Sequence, residues 1–216
     1  MFFLISCYTF EKNVRCKVVG KQVANEDRRI LRTRKNLKKA MLELLKEEEF
    51  KEISITKIAE VAHCNRVTFY SHYENSTQLL ADIFHDYLDE LAQYYKESFK
   101  GKKTFSLADS TQSIPIFEFV FNNQFVFSLM LMGEVIPGSQ NIFCETISAI
   151  SRNDLELKDG VWFDIEAVNY YETYAFLGLF IYWIQEGFKS SPEEMAKRLS
   201  YLYTTTLGEI IVKNKE

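Results

Sequence analysis

Three residues that favour the start of a helix, Ser54, Asn65 and Asn75, are the strongest constraint on the fold of this chain. Ser and Asn side chains accept hydrogen bonds from the free backbone N–H groups in the first turn of a helix. The intervals between these residues leave room for two short helices before a further helix begins. A short helix, a tight turn and a second short helix form the outline of a helix-turn-helix unit.

Apolar residues recur every three or four positions on both sides of this unit, which predicts a longer helix before it and another after it. The preceding helix is predicted over residues 29–48. Within the second short helix, Phe69 and Tyr73 share one face and are predicted to be core residues. Val67, Thr68 and Ser71 point broadly away from that face, which leaves a surface rich in hydrogen-bond donors facing outward.

The rest of the chain is dense in aromatic residues, and the whole has only 8 Gly and 3 Pro, which favours long helices. A polar linker is predicted over residues 100–113, followed by two helices broken near 122–123 and a short helix over 142–151. A long helix over 161–187 is apolar on nearly all sides, so it should be buried all round, partly in a subunit interface. Pro192 suits the first turn of a final helix.

Basic residues are concentrated between Arg28 and Lys39, where seven occur without an acidic residue. The formal net charge of the chain is -4. Because the local electrostatic field depends on patches rather than totals, this balance does not exclude a nucleic-acid partner. A solvated helix face is the alternative explanation for the basic run.

Four cysteines and three histidines occur without the spacing of a zinc site or a paired thiol motif, so no metal or cofactor is predicted. Unpaired cysteines favour a reducing, cytoplasmic location. No apolar run reaches the ~18 residues that span a bilayer, so no membrane partner is expected. Residues 1–22 show no clean pattern and are predicted to be an extension outside the working fold, with translation starting at Val23 as one hypothesis.

The stretch ISITKIAEVAHCNRVTFYSHYENSTQLL, Ile53–Leu80, resembles the helix-turn-helix region of the TetR/AcrR family of bacterial transcriptional regulators. Caps, apolar spacing and aromatic positions all match the family pattern, at Ser54, Ile58, Ala59, Ala62, Asn65, Thr68, Phe69, Tyr70, Tyr73, Leu79 and Leu80. A weaker resemblance, over Tyr174–Leu202, is to the last two helices of a common subgroup. The resemblance implies an all-α chain of about nine helices, with an N-terminal helix-turn-helix DNA-binding domain and a larger helical effector-binding and dimerisation domain.

The same resemblance divides the chain into an extension (1–22), a DNA-binding domain (23–75), a linking helix (76–99) and an effector-binding and dimerisation domain (100–216). Two positions depart from the family pattern. His63 replaces the usual Gly of the turn, although His tolerates left-handed backbone better than most residues. Ser76 replaces a Lys that commonly contacts phosphate, which puts one phosphate contact in doubt.

In this family the third helix enters the major groove, which implies DNA contacts by Thr56, Lys57, Arg66, Thr68, Tyr70, Ser71 and His72. Arg66 suits a bidentate contact with guanine, and the Tyr70 hydroxyl suits a phosphate. Thr56 and Lys57, early in the second helix, are expected to meet backbone phosphates. A surface helix with incidental polar residues is the alternative.

Aromatic residues of the C-terminal domain are candidates for an effector cavity, namely Phe121, Phe125, Trp162, Tyr170 and Tyr174. Ligand pockets are mostly apolar and contain a few polar anchors. Three polar residues among these aromatics could orient a ligand, namely Glu118, Asn169 and Glu172. Plain core packing is the alternative for each aromatic residue.

The function implied is a sequence-specific, DNA-binding transcriptional regulator that acts as a homodimer on a palindromic operator. Repression relieved by an unidentified small-molecule effector is the usual mode of the family. A protein-interaction co-regulator or an activator on the same fold is the alternative, and weak DNA binding by the purified dimer would favour the co-regulator. An enzyme is not predicted, because the sequence shows no nucleophile–base pair, metal cluster or phosphate-binding loop.

Overall fold

The computed structural model describes residues 23–103, 109–133, 135–154 and 164–204, which form helices and no strands. The nine α-helices within these ranges are α1 Val23–Leu44, α2 Ile55–Val61, α3 Arg66–Tyr70, α4 Ser76–Phe99, α5 Ile114–Asn122, α6 Gln124–Met132, α7 Ser139–Asp154, α8 Ile165–Gln185 and α9 Pro192–Thr204. The prediction of an all-α chain is confirmed for the described part. The extension predicted over residues 1–22 lies outside it.

The predicted caps lie where α2, α3 and α4 begin. The side chains of Ser54, Asn65 and Asn75 each accept a hydrogen bond from the backbone N–H three residues later, at 3.2, 2.8 and 2.8 Å respectively. These bonds satisfy N–H groups that have no partner within the helix and so fix where each helix starts.

The first helix begins earlier and ends earlier than the predicted range 29–48. It runs from Val23 to Leu44 and is followed by a turn and a short 3-10 helix, Phe50–Glu52. Three consecutive acidic residues, Glu47–Glu49, follow the helix end, where negative charge opposes the helix dipole. The apolar spacing alone did not reveal this earlier end.

Helices α1 to α4 pack around one apolar cluster, which contains Leu37, Met41, Ile58, Phe69, Tyr73, Leu79 and Ile83. Phe69 and Tyr73 are buried, as predicted. Helix α4 also contacts α5 and α7, so its apolar stripe joins the N-terminal helices to the C-terminal ones.

Aromatic rings form the core of the C-terminal helices. The Phe117 ring lies 5.3 Å from Phe180 and 5.6 Å from Trp183, measured between ring centroids. Such tilted and edge-to-face pairs contribute stability beyond the area they bury. The predicted break between two helices is confirmed, because Asn123 separates α5 from α6.

The long helix predicted over residues 161–187 begins later and is less buried than expected. Asp164 caps it, so that it begins at Ile165, while residues 161–163 lie outside the described part. In the single chain one side of α8 is exposed, at Tyr170, Tyr171, Tyr174 and Tyr182. Burial of this side in a subunit interface therefore stays a prediction, since apolar composition alone does not say which face packs within the chain.

No single helix of the described residues is long and apolar enough to cross a bilayer. One pair meets the criteria of length and composition together, namely residues 110–122 with α6, and it is bent by 87°.

Candidate nucleic-acid interface

The turn between α2 and α3 contains one residue in the left-handed region. His63 has a φ of 54°, and its backbone N–H donates to the Glu60 carbonyl oxygen at 3.0 Å. The next backbone N–H, that of Cys64, donates to the Ala59 carbonyl oxygen at 2.9 Å and closes the end of α2. The turn therefore forms with His in place of Gly, at a conformational cost of roughly 1 kcal/mol.

Helix α3 has one buried and one exposed face. Phe69 is fully buried, whereas Val67 is 78% and Tyr70 49% exposed. Arg66 is exposed, and its guanidinium carbon lies 5.9 Å from the centroid of the Tyr70 ring. The Tyr70 ring in turn meets Phe69 edge to face at 5.7 Å, so the exposed pair rests on the core.

Two further candidates help to hold α3 in place. The backbone N–H of Thr68 donates a hydrogen bond to the Asn65 side chain. The Thr68 carbonyl oxygen accepts a hydrogen bond from the Ser71 hydroxyl at 2.7 Å. Thr68 is half-buried and Ser71 is exposed. The Ser71 hydroxyl must therefore rotate away from this carbonyl to donate elsewhere, although its oxygen can still accept a hydrogen bond.

Val67 was placed on the outward side of this helix from sequence, but it was not included among the expected DNA contacts. It has the largest exposed fraction among the exposed large hydrophobic residues of the described part. An apolar side chain on a helix in the major groove can contact the methyl group of thymine. Its position two residues before the buried Phe69 places it on the opposite face, and that spacing was the available signal.

Thr56 and Lys57 lie exposed in the first turn of α2. The Lys57 ammonium nitrogen is 2.6 Å from a carboxylate oxygen of Glu48. An exposed ion pair contributes little net free energy, so a phosphate can replace Glu48 as the partner of Lys57.

A polar network that was not foreseen joins α1, Tyr73 in the segment after α3, and α4. The Tyr73 hydroxyl donates to Asp82 Oδ2 at 2.6 Å, and Arg34 Nε donates to the Tyr73 hydroxyl at 3.2 Å. Arg34 Nη2 and Lys38 Nζ lie 2.7 and 2.8 Å from the same Asp82 oxygen. The network fixes the end of the α3 segment against both flanking helices.

The ionisation of this network follows from its geometry. Burial alone would raise the pKa of Asp82, but hydrogen bonds from Lys38, Tyr73 and Arg34 outweigh it and lower the pKa to about 2. Burial, with the hydrogen bond to Asp82, raises the pKa of Tyr73, so its hydroxyl remains protonated. The network is therefore a carboxylate held by two cations and a phenol at neutral pH.

His72 lies half-buried beside this network rather than fully on the exposed face. Burial and the positive charge of Arg34 lower its pKa, which favours the neutral imidazole at pH 7. A neutral imidazole offers one donor and one acceptor, so His72 can add a hydrogen bond but not a charge to a DNA contact.

The structure does not bring the effector candidates together. Phe121 is half-buried and stacks on Trp183, with ring centroids 5.8 Å apart. Tyr170 and Tyr174 stack on each other at 6.3 Å, but they are 57% and 46% exposed on the first half of α8. Phe125 is half-buried on α6, and Trp162 lies outside the described residues.

The three polar candidates near these aromatics also differ in environment. Asn169 is buried and donates to the Ser148 hydroxyl oxygen at 2.9 Å, which joins α8 to α7. Burial raises the pKa of Glu172, whereas Glu118 is exposed on α5. Asn169 therefore has a structural partner, and Glu172 is the partly buried carboxyl group of the three.

A small, partly open void lies between α4, α6 and α7 and is lined by Phe84, Leu88, Met130 and Ile142 among others. Its volume of about 10 Å³ corresponds to a single water molecule. Among the described residues no three His, Cys, Asp or Glu side chains are grouped so that they could hold a metal ion.

Comparison with known sequences gives two related findings. Residues 110–205 match a TetR-type family described as a transcriptional regulator C-terminal region. An uncharacterized HTH-type transcriptional regulator, YxbF from Bacillus subtilis (strain 168), is 24% identical over 172 residues, or 79% of this chain. The match spans 44% of the length of that relative.

Comparison with solved structures shows the same fold. A TetR transcriptional regulator from Streptococcus agalactiae 2603V aligns with a TM-score of 0.56 and 19% identity, over 84% of this chain and 98% of that one. Thermus thermophilus FadR, a TetR family repressor in complex with lauroyl-CoA, aligns with a TM-score of 0.52 and 16% identity, over 84% and 100% of the two chains.

Proposed function

We propose that this chain is a TetR-family transcriptional regulator, namely a sequence-specific DNA-binding repressor that a small-molecule effector releases from its operator. The observation that carries this proposal is α3. It presents Arg66, Val67, Tyr70 and Ser71 outward from a buried Phe69, and these side-chain types can contact bases and phosphates.

The division of labour proposed for the chain follows its helices. Residues 23–75 would bind DNA, the helix over 76–99 would connect, and residues 100–216 would bind the effector and dimerise. The support is the contrast between the polar exposed face of α3 and the aromatic core of the later helices.

A homodimer is proposed from the exposed aromatic side of α8 and the adjoining Leu202 of α9. Exposed apolar surface that is contiguous over several residues is typical of an interaction site. A two-fold dimer would place two copies of α3 on a palindromic operator, about 34 Å apart, which is one turn of DNA.

The effector is proposed to act by shifting the population of two dimer conformations. A ligand can move such an equilibrium only through its different affinity for the two states. The neighbour FadR binds lauroyl-CoA, which shows that this fold can hold an apolar chain. In the present chain the void between α4, α6 and α7 would have to enlarge, and Phe121, Phe125, Tyr170 and Tyr174 do not line it.

The test is binding of the purified protein to DNA from upstream of its own gene at two salt concentrations. Arg66→Ala should weaken binding to the preferred site by about 1–3 kcal/mol and relax base choice there, because the guanidinium no longer reads a base. Lys57→Ala should weaken binding to all sequences alike, since phosphate contacts carry no sequence information.

Saturable, selective binding that weakens with salt would support the proposal and lead to a ligand screen for release. Absence of selective binding would contradict it and favour a co-regulator that acts through a protein partner. Normal binding by Arg66→Ala would overturn the assignment of that residue while leaving the function in place.

A further inference from the structure

Helix α1 carries positive charge that the helix-turn-helix unit does not use. Of the seven basic residues between Arg28 and Lys39, Arg34 and Lys38 pair with carboxylates of α4, and Lys39 lies 3.5 Å from Glu43.

The remaining cations at the start of α1 have no such partner. These four, Arg28, Arg29, Arg32 and Lys35, are exposed, and no ion pair joins them to an acidic residue in the described part of the chain. Arg28 and Arg32 are four residues apart, so they share one side of the helix. The start of α1 therefore presents three exposed arginines, which follow Glu26 and Asp27 in the sequence.

Contacts between α1 and α4 show which way this end of α1 points. Lys38 contacts Asp86 at 2.5 Å and Asp82 at 2.8 Å, whereas Arg34, one turn earlier, contacts Asp82 at 2.7 Å and Tyr73 at 3.2 Å. Moving towards the start of α1 thus also moves towards the start of α4. The two helices run side by side in the same direction.

This parallel arrangement extends to the N-terminal ends of both helices. Each residue adds about 1.5 Å of length, so Arg28 and Arg29 lie about 8–9 Å beyond Arg34. Ser76, the first residue of α4, lies about 9 Å before Asp82 by the same rise. Arg28 and Arg29 therefore lie beyond these contacts in the direction of the start of α4, which follows α3 in the chain.

The start of α1 also projects beyond the core that it helps to form. Ile30 and Leu31 are both exposed, while Leu37 and Met41 further along the helix are fully buried. An arginine on such a projecting turn can reach outward without displacing packed side chains.

We propose that Arg28, Arg29 and Arg32 form a second DNA-contacting surface, which binds backbone phosphates beside the bases contacted by α3. This inference rests on the proposed DNA-binding function and adds a contact region outside the helix-turn-helix unit. The guanidinium group matches the bidentate geometry of a phosphate. These side chains are exposed, and no neighbouring side chain among the described residues holds them in one orientation. We therefore expect them to position the protein on the DNA backbone rather than to distinguish one base sequence from another.

The test compares the double variant Arg28→Gln/Arg32→Gln with Lys103→Gln/Lys189→Gln in the full chain. Both remove two exposed positive charges, but the control residues follow α4 and α8 respectively and belong to neither α1 nor the helix-turn-helix unit. Affinity for the operator and for unrelated DNA is measured from 50 to 300 mM salt, with thermal unfolding as the check on folding.

The α1 variant should bind both DNAs roughly ten-fold more weakly at low salt, and the slope of log K against log salt should fall by about 0.9 for each phosphate that the protein no longer neutralises. The ratio of operator to unrelated DNA affinity should stay the same. The control variant should keep the wild-type slope. In the wild type, ethylation of the phosphates that α1 contacts should weaken binding. The α1 variant should no longer respond to ethylation of these phosphates, whereas Arg66→Ala should still respond.

Two outcomes would overturn the inference, and they are distinguishable. If wild type binds DNA selectively and the α1 variant keeps its slope and affinity, this second surface is wrong and the proposed function stands. If wild type binds no DNA but retains an acidic protein partner that the α1 variant does not bind, both the proposed function and the phosphate assignment fail.

Discussion

Helices α1 to α4 and helices α5 to α9 differ in the contacts that link them. In the first group, α2, α3 and α4 begin at side-chain caps, and a hydrogen-bonded network links α1 to α4. In the second group, α8 and α9 begin at the caps Asp164 and Ser191, α5 and α6 begin without a side-chain cap, and aromatic ring pairs link α5 to α8.

This difference matches the tasks proposed for the two regions. Hydrogen bonds and caps are directional, so they set the orientation of a surface that has to match DNA. Apolar packing depends mainly on volume and tolerates rearrangement with a smaller loss of specific geometry. A region that accommodates an effector benefits from that tolerance.

The largest effect is expected from emptying one core position in each region. Phe69→Ala and Phe117→Ala should each lower the free energy of unfolding by about 3–5 kcal/mol, because both rings are fully buried. Under conditions where both variants remain folded, only Phe69→Ala should lose operator affinity, because it removes the support of α3. Denaturant unfolding measures the loss of stability, and fluorescence anisotropy measures operator affinity. If Phe69→Ala bound the operator as tightly as wild type, the proposed difference between the two regions would be contradicted.

A smaller loss is expected on removing the shared carboxylate of the network. Asp82→Ala should destabilise the protein by about 1–3 kcal/mol, since the buried Tyr73 hydroxyl and two cations lose their acceptor. Calorimetry at pH 7 measures the change. Asp82→Asn keeps the shape and an acceptor oxygen and serves as the matched control with a smaller expected loss.

The pH dependence of that carboxylate sharpens the same point. The pKa of Asp82 is about 2 in the folded state, below the value of about 3.9 for an unperturbed Asp. Its stabilising effect is therefore fully present above about pH 4 and is lost as pH falls towards 2. The difference in Tm between wild type and Asp82→Asn should shrink over that interval, and a constant difference would contradict the ionised network.

Loss of a helix cap should give about 1 kcal/mol in either region, but different functional results. Asn65→Ala removes the cap of the five-residue α3, whereas Asp164→Ala removes the cap of the 21-residue α8. Only the first should weaken operator binding, because a short helix frays throughout when its first turn opens. Equal DNA affinities for the two variants would show that α3 is held by packing alone.

The smallest effect concerns left-handed backbone. His63→Gly should stabilise the protein by about 0.5–1 kcal/mol, because Gly adopts a positive φ without the cost that a side chain imposes. Gly187→Ala, at a φ of 66° between α8 and α9, should destabilise by a similar amount. Thermal unfolding measures both, and a destabilising His63→Gly would show that the imidazole makes compensating contacts.

The N-terminal helices could be predicted from sequence because their signals are local. Ser54, Asn65 and Asn75 lie next to the helices they cap, and Phe69 and Tyr73 are one turn apart. The Arg34–Asp82 contact joins residues 48 positions apart on helices that each have many charged residues, so no local pattern identifies it.

The C-terminal helices were predictable in number but not in orientation. Helix α8 has apolar residues on every side, so the sequence could not distinguish the exposed Tyr170 from the buried Phe180. For the same reason the effector candidates were chosen by composition, and the structure separates Phe121 from Tyr174. A helix that has apolar residues on every side reveals its length in the sequence, but not which of its faces is buried.

The network around Asp82 has a mechanical consequence. Because Arg34, Lys38 and Tyr73 all bind one residue of α4, a tilt of α4 carries α1 and α3 with it as one body. Helix α4 has 24 residues and is therefore about 36 Å long, so a 5° tilt about its far end displaces its first turn by about 3 Å. A lever of this length converts a small displacement among the C-terminal helices into a shift of α3 comparable to one base-pair step.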